Sequence, residues 1–250
     1  DMRTKLYEQV QGLYPESSSA LQTFSGATIT QMINLMNSTA DGQYLFSGND
    51  INQAPMIGRG TVEANAVALS GPIPSIANGD TAAVIQAYWQ GVMGNNAPAD
   101  ANEWYQGGTG TFDIRIDEGV NTSFGEVGND DAFEEVFEVL YAFANMGYDA
   151  TVANADAEYA AMVSWGLPKI EAAFDLINDM VGQNGVTGRQ MEDRKEAHAE
   201  TLTLLESQIL GVEDVDSYEA VSRFQTLQSQ LQASYQTTSL IRNLSLTNYI

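Results

Sequence analysis

The chain has no cysteine among its 250 residues and a single histidine, His198. Without cysteine there are no disulfides, no thiolate metal sites and no cysteine nucleophiles. One histidine cannot supply an ordinary histidine-rich zinc site. We therefore predict no metal and no cofactor, and any chemistry would depend on carboxylates, hydroxyls and one imidazole.

Positive charge is also scarce. Ten basic residues stand against 33 acidic ones, which gives a net charge of −23. Such a charge repels phosphate backbones and anionic lipid surfaces, so we predict no nucleic-acid partner and no membrane partner. The sequence has no apolar run of about 18 residues and no basic segment leading into an apolar one. Because the chain opens inside a helical pattern, we expect the natural N-terminus to precede Asp1.

The first 40 residues carry apolar positions at steps of three and four, which is typical of a helix face. Pro15 and the serines after it predict a kink or short break. Asp41-Gly42 follows, and glycine accepts the left-handed conformation that ends many helices. The pattern therefore predicts that the first helix ends at Asp41-Gly42.

Between residues 57 and 149 the sequence is rich in glycine, proline, asparagine and aspartate, which indicates many turns. Strand-like alternation covers 61–69 and 111–116. Residues 80–93 predict a helix capped by Asp80, and a second helix is expected to begin at Asp130 or Asp131. We interpret this zone as a small mixed α/β domain inserted into the chain.

Helical periodicity returns at about residue 153 and continues to the end. The GQNG segment, residues 182–185, predicts a tight break. After it the spacing alternates between four and three, as in a coiled-coil seam, at Met191, Lys195, His198, Leu202, Leu205, Ile209 and Val212. Asp216 and Glu219 have the spacing of a capping box, so a further helix is expected there.

Amphipathic helices at both chain ends need one another as packing partners. We predict a mainly α fold: a long antiparallel helical rod, a coiled-coil-like bundle from both chain ends, with an inserted small mixed α/β domain. Residues 1–56 and 150–212 form the rod, residues 57–149 the side domain, and residues 213–250 a C-terminal assembly helix.

We find no catalytic constellation. His198 occupies a seam position, where packing explains it better than general-base chemistry. Adjacent acids such as Asp130 and Asp131 more often cap a helix and complement its dipole than perform glycosidase-type catalysis. The same stretch lacks the calcium-loop spacing, although calcium binding there stays open. An acidic secreted hydrolase would need two carboxylates about 5–10 Å apart in a cleft.

The C-terminal helix has more apolar surface than a lone helix can bury. We predict an assembly interface formed by Phe224, Leu227, Leu231, Tyr235, Leu240, Leu244 and Leu246. A second set belongs to the DGQYLFSGND segment, where extended residues lie between two glycines. We predict a joint between rod and side domain at Gly42, Tyr44, Phe46 and Gly48.

Several segments in this order resemble the hook-associated protein 3 family, the hook–filament junction proteins of bacterial flagella, which are related to flagellin. They are DGQYLFSGND, AYWQG, IRIDEGVNTSFG, DDAFEEVFEVLYAFANM and the C-terminal QLQASYQ and LSLTNYI. The resemblance covers about residues 20–56 and 80–250. The family's Y-[LF]-F-[AS]-G turn is carried here by Tyr44 to Gly48.

The resemblance implies a structural protein, not an enzyme. It implies export without a cleaved signal peptide through the flagellar type III apparatus, with an export chaperone, to an extracellular flagellum. There, copies would form a ring between hook-associated protein 1 and the first flagellin layer. Flagellin itself is the alternative. Family members begin with a further N-terminal helix that is not seen before Asp1, so we expect residues 217–250 to dock on a neighbouring copy.

Overall fold

The computed structural model describes residues 2–10, 16–94, 104–117, 119–124, 127–213 and 217–243. The fold is mainly α, as predicted, with two small hairpins. The helices are α1 Met2–Val10, α2 Glu16–Met36, α3 Arg59–Ser70, a 3-10 turn Ile76–Asn78, α4 Ala82–Met93, α5 Asp131–Asn145, α6 Ala155–Glu213 and α7 Ser217–Asn243. The strands are β1 Thr39–Ala40, β2 Gln43–Tyr44, β3 Phe112–Asp117 and β4 Val120–Phe124.

The chain divides into two compact units, residues 1–191 and 192–250. The division falls inside α6 and does not coincide with the predicted boundaries at 56/57, 149/150 and 212/213. Residues from the predicted rod and from the predicted side domain share one hydrophobic core in the first unit. That the two regions act as separate domains stays a prediction.

Helix α5 lies at the centre of this core. Its residues Phe137 to Ala144 are all buried, and both α2 and α4 pack against it. Trp89 of α4 stacks on Tyr141 with ring centroids 5.2 Å apart. Helix α6 comes so close that a Cβ added to Gly166 would lie 2.7 Å from the Phe143 ring. The predicted start of this helix is confirmed: the carboxylate of Asp130 accepts a hydrogen bond from the N–H of Ala132.

The two ends of the first unit's sequence pack against each other. The Tyr7 hydroxyl donates a 2.6 Å hydrogen bond to Glu171, and the Arg3 guanidinium lies 5.9 Å from the Phe174 ring centroid. Tyr159 donates to Gln9 at 3.0 Å. Rising numbers in α1 meet falling numbers in α6, so these helical segments run antiparallel.

The predicted helix end at Asp41-Gly42 is wrong. Helix α2 ends five residues earlier, where the Asn37 amide makes two 2.9 Å hydrogen bonds with the backbone of Met56. Asp41 and Gly42 have φ angles of 51° and 81° and form the two-residue turn between β1 and β2. A turn with positive φ at both positions matches the twist of a hairpin, and Asp-Gly is among its preferred sequences.

Three further local expectations are corrected. Residues 61–69 lie in helix α3, not a strand, with Val62 and Ala66 buried one turn apart. Thr81, not Asp80, is the N-cap residue of α4, and the Asp80 carboxylate accepts from the N–H of Ser75 instead. The GQNG segment makes no break, since α6 is continuous through it. The strand expected over 111–116 is confirmed as β3, whereas Asp216 of the capping box lies outside the described residues.

Candidate assembly surface

Helix α7 carries the predicted assembly interface, and its described apolar side chains are exposed. Phe224 is 67% exposed, Leu227 58%, Leu231 54% and Tyr235 71%. At about 100° of rotation per residue, these four side chains fall within a band of about 80° on one side of the helix. We call this band, Phe224, Leu227, Leu231 and Tyr235, the α7 stripe.

Leu240 does not belong to the same side. It is nine residues beyond Leu231, which places it on the opposite side of an α-helix, and it is 61% exposed there. Leu244 and Leu246 lie outside the described residues. The structure thus brings four of the seven predicted interface residues onto one stripe, and their role in assembly stays a prediction.

The last part of α6 carries a second apolar stripe, formed by four residues of the predicted coiled-coil seam. Leu202, Leu205, Ile209 and Val212 are 61%, 47%, 54% and 87% exposed. Their alternating spacing of three and four keeps them within about 80° of each other on the helix. We call these four residues the α6 stripe. These four side chains are exposed within one chain, and the coiled-coil seam stays a prediction.

The two stripes share a unit that has no core among its described side chains. Every residue from 192 to 212 and from 218 to 242 is exposed, including His198. Most helices in proteins depend on packing of an apolar face for their stability. This unit therefore lacks, within one chain, the packing that its two apolar stripes would provide.

Charge is distributed unevenly along α7. No charged residue occurs between Arg223 and Arg242, so the α7 stripe is bordered by glutamine, serine and threonine. Arg223 pairs with Glu219 at 2.6 Å, one turn away. In a chain of net charge −23, such a segment is distinctive, because a solvated helix would usually carry charges on its polar face.

The predicted joint is a packed turn in the first unit. The Phe46 carbonyl accepts from the N–H of Gly128 at 2.9 Å and from the Tyr105 hydroxyl at 3.2 Å. The Phe46 ring meets Phe133 edge-on, with centroids 5.9 Å apart. Tyr44 and Phe46 are half-buried while Leu45 between them is exposed, as expected for an extended segment. Burial raises the pKa of Tyr105 to about 12, so this hydroxyl stays a neutral donor.

Gly48 closes this turn by a close approach that needs glycine. Its φ is 55°, and an added Cβ would lie 2.4 Å from the carbonyl oxygen of Gly108. Gly42 has a φ of 81° but open space around it. Both glycines are required by conformation, and Gly48 also by contact. The joint residues connect β2 to the loops before α5, and their contacts are structural.

Helix α5 carries the buried Glu138 and the partly buried Glu134. Lys169 Nζ lies 2.7 Å from Oε2 of Glu138, whose side chain is 4% exposed. Burial raises the pKa of Glu138, and hydrogen bonding and charge from Lys169 oppose that shift. Burial also raises the pKa of Glu134, with a further contribution from the charge of Asp131. Sequence periodicity does not reveal the Glu138–Lys169 pair, because the two residues are 31 positions apart.

The described residues show no arrangement that favours catalysis. A groove of about 590 Å³ on α6 is lined by six residues, and Asp179 is the one acid among them. No group of three or more histidine or acidic side chains that could hold a metal ion occurs in the described part of the chain. Among the described helices, none is long and apolar enough to cross a membrane.

A mainly α fold that presents two unpartnered apolar helix stripes is typical of a protein that assembles through its helices. Comparison with known families agrees with this class. Residues 167–250 match the family described as bacterial flagellin C-terminal helical region. The match supports a flagellin-like family for this chain, and with it a structural component of the bacterial flagellum. No curated protein and no solved structure matches the chain.

Proposed function

We propose that the chain is a flagellar structural subunit that forms the junction ring between hook and filament by self-association through the α7 stripe. The observation that carries this proposal is the coincidence of two features in one region. The segment that matches the flagellin C-terminal helical region, residues 167–250, contains both exposed apolar stripes.

The energetics favour assembly of many copies over association of two. Burying the exposed part of a leucine or phenylalanine contributes on the order of 1–2 kcal/mol. Association of two copies costs about 4–15 kcal/mol in lost freedom, which is similar to what the four side chains of each copy contribute together. A ring subunit has neighbours on both sides and buries its stripes against each of them. Each subunit of a closed ring therefore makes two such contacts, whereas each copy in a pair makes one.

The resemblance in sequence supplies the partners of this proposal. Hook-associated protein 1 lies on the hook side of the ring and flagellin on the filament side. An export chaperone covers the apolar helices before export, which keeps them from aggregating. The chain then reaches the extracellular flagellum through the type III apparatus without a cleaved signal peptide. Within the ring, the stripes pack in the manner of a coiled coil.

A second candidate function is flagellin itself, the filament subunit. One observation favours it: the matched family is described by flagellin and not by a junction protein. A filament subunit would use the same two stripes for the same purpose. The two candidates differ in what is lost when the chain is absent.

Deletion of the gene in its host separates the two candidates. For a junction protein we expect intact hooks without filaments and a filament protein of different sequence released into the medium. Filaments still attached to hooks would overturn the junction role. Loss of filaments with no filament protein in the medium would identify the chain as the filament subunit.

Complementation of the deletion strain then tests the α7 stripe as the assembly contact. Wild-type gene should restore motility, whereas a Phe224→Ser/Leu231→Ser variant should not, although it is exported to the medium. Gln236→Ser is the matched control, because this exposed polar side chain lies about 100° or more around α7 from every residue of the stripe. Motility restored equally by both variants would show that the α7 stripe is not the assembly contact.

A further inference from the structure

The β3–β4 hairpin is a second surface in the first unit that suits a copy of this chain. Two separate two-stranded sheets are present in the described residues, β1-β2 and β3-β4. The hairpin therefore ends at a strand edge on either side, as far as the structure describes it. A two-stranded hairpin alone is marginally stable in water, and a strand edge is a template for pairing with another chain.

The centre of β3 alternates between charged and apolar residues. Ile114 lies on one face of the strand, and Asp113 and Arg115 lie on the other, because side chains alternate along a strand. Ile114 is 38% exposed, and Asp113 and Arg115 are exposed as well. The strand thus presents an apolar side chain flanked by one acid and one base.

This pattern is complementary to itself. When two copies of β3 pair antiparallel with Ile114 opposite Ile114, Asp113 of each copy lies opposite Arg115 of the other. An apolar pair then forms on one face, and two pairs of opposite charge form on the other. Directly opposed charges of unlike sign stabilise a pair of strands, and like charges destabilise it.

Other registers lose this match. Centring the pair on Arg115 would oppose Arg115 with Arg115, which are like charges. That register therefore replaces the two attractions with a repulsion. In the single chain, Ser123 donates its hydroxyl proton to Asp113, and Arg115 Nε donates to the Asp117 carbonyl at 3.0 Å. These contacts hold both charges on the exposed face of the hairpin.

We propose that β3 is a pairing edge for β3 of a second copy, antiparallel and centred on Ile114. The contact joins two copies about a twofold axis and closes on itself. A ring subunit needs a different contact, with unlike surfaces on its two sides. The β3 contact is therefore an association of copies separate from the α7 stripe, and it does not depend on the proposed function.

The absence of cysteine allows a direct test with the full chain. We expect Ile114→Cys to give a disulfide-linked dimer under mild oxidation, since directly opposed strand residues lie within disulfide range. Asn121→Cys is the matched control, an exposed position on β4 that pairs with Arg115. In the proposed dimer the two β4 strands are about 14 Å apart, three strand spacings, which is too far for a disulfide. Equal cross-linking of the two variants would overturn the proposal.

Charge inversion tests the register. Asp113→Arg or Arg115→Asp alone opposes like charges twice, and we expect each to lower Ile114→Cys cross-linking on the order of tenfold. The double inversion restores opposite charges and should restore cross-linking. Failure of the double variant to recover, with circular dichroism unchanged, would overturn this register. Leu231→Ser in α7 should leave the cross-linking as it is, which separates this contact from the assembly surface.

Discussion

Lys169 on α6 and Glu138 on α5 form a nearly buried ion pair, with Nζ and Oε2 2.7 Å apart. The Lys169 ammonium also lies 5.5 Å from the Trp165 ring centroid, one turn earlier on α6. The pair fixes the position of α6 on α5 close to the start of the segment that matches flagellin. It connects the core of the first unit to α6, which carries the α6 stripe further along.

Removing the lysine should be costly. Lys169→Met keeps the aliphatic stem and leaves the Glu138 carboxylate buried without its cation. We expect the free energy of unfolding at pH 7 to fall by about 3 kcal/mol, measured by urea unfolding. Asp175→Asn is a control on the same helix, because Asp175 is exposed, and it should change stability by less than about 0.5 kcal/mol. An equal change in the free energy of unfolding for the two variants would show that the Lys169–Glu138 pair does not contribute to stability.

Mild acid should stabilise the first unit through Glu138 and Glu134. Burial raises the pKa of both carboxyls above the ordinary value of 4.5. A group with a raised folded pKa contributes stability that is fully present below its unfolded pKa and is lost as pH rises through the folded pKa. We expect the melting temperature to increase as pH falls from 7 toward 4.5. Glu138→Gln cannot titrate at this position and should flatten the dependence of the melting temperature on pH. An unchanged dependence would show that Glu138 does not contribute to it.

Two glycines of α6 should respond to alanine in opposite directions. A Cβ at Gly166 would lie 2.7 Å from Phe143 and 3.2 Å from Val139, whereas nothing lies within 4 Å of one at Gly182. Gly166→Ala should destabilise by about 1–3 kcal/mol through overpacking. Gly182→Ala should stabilise by up to about 1 kcal/mol, because glycine is a poor helix residue. Thermal unfolding of both variants checks this, and the same sign for both would contradict the close approach of α6 to α5.

Gly42 in the β1–β2 turn and Gly48 in the segment after β2 provide a second glycine comparison. Gly42→Ala forces a side chain into a left-handed conformation with open space around it, at a cost of about 1–2 kcal/mol. Gly48→Ala adds to that strain a clash with the Gly108 carbonyl. We expect its loss of stability to be larger by at least about 1 kcal/mol. If Gly42→Ala proved the more harmful by urea unfolding, the packed turn at Gly48 would be wrong.

These local structures show what the sequence could and could not predict. Helical periodicity predicted the mainly α fold and the apolar stripe on α7, because both depend on spacing along one helix. Asp41-Gly42 was misassigned because the same dipeptide suits a helix end and a hairpin turn. Residues 61–69 alternate like a strand, but their alanines favour a helix, and Val62 and Ala66 bury one side of it.

Long-range contacts were beyond the reach of local patterns. The Glu138–Lys169 pair and the approach of Gly166 to Phe143 join separate helices, so no spacing rule reveals them. The spacing of the α6 stripe indicates a seam, but it does not indicate that the stripe is exposed. A seam predicts that an apolar partner exists, and it does not say whether that partner belongs to the same chain.

Association through the α7 stripe should depend on apolar contact and very little on salt. The stripe lies in a segment without charged residues between Arg223 and Arg242, so salt has no ion pair to screen there. We expect sedimentation of the purified chain to show association at high protein concentration. The association should be at least as strong at about 0.5 M salt as at about 0.05 M salt, because the net negative charge of the chain repels copies at low salt. Phe224→Ser/Leu231→Ser should abolish it, while the melting temperature stays the same because both side chains are exposed in the single chain. Gln236→Ser should leave it unchanged. Association that weakens steeply with salt would show that charged contacts elsewhere, and not the α7 stripe, hold the copies together.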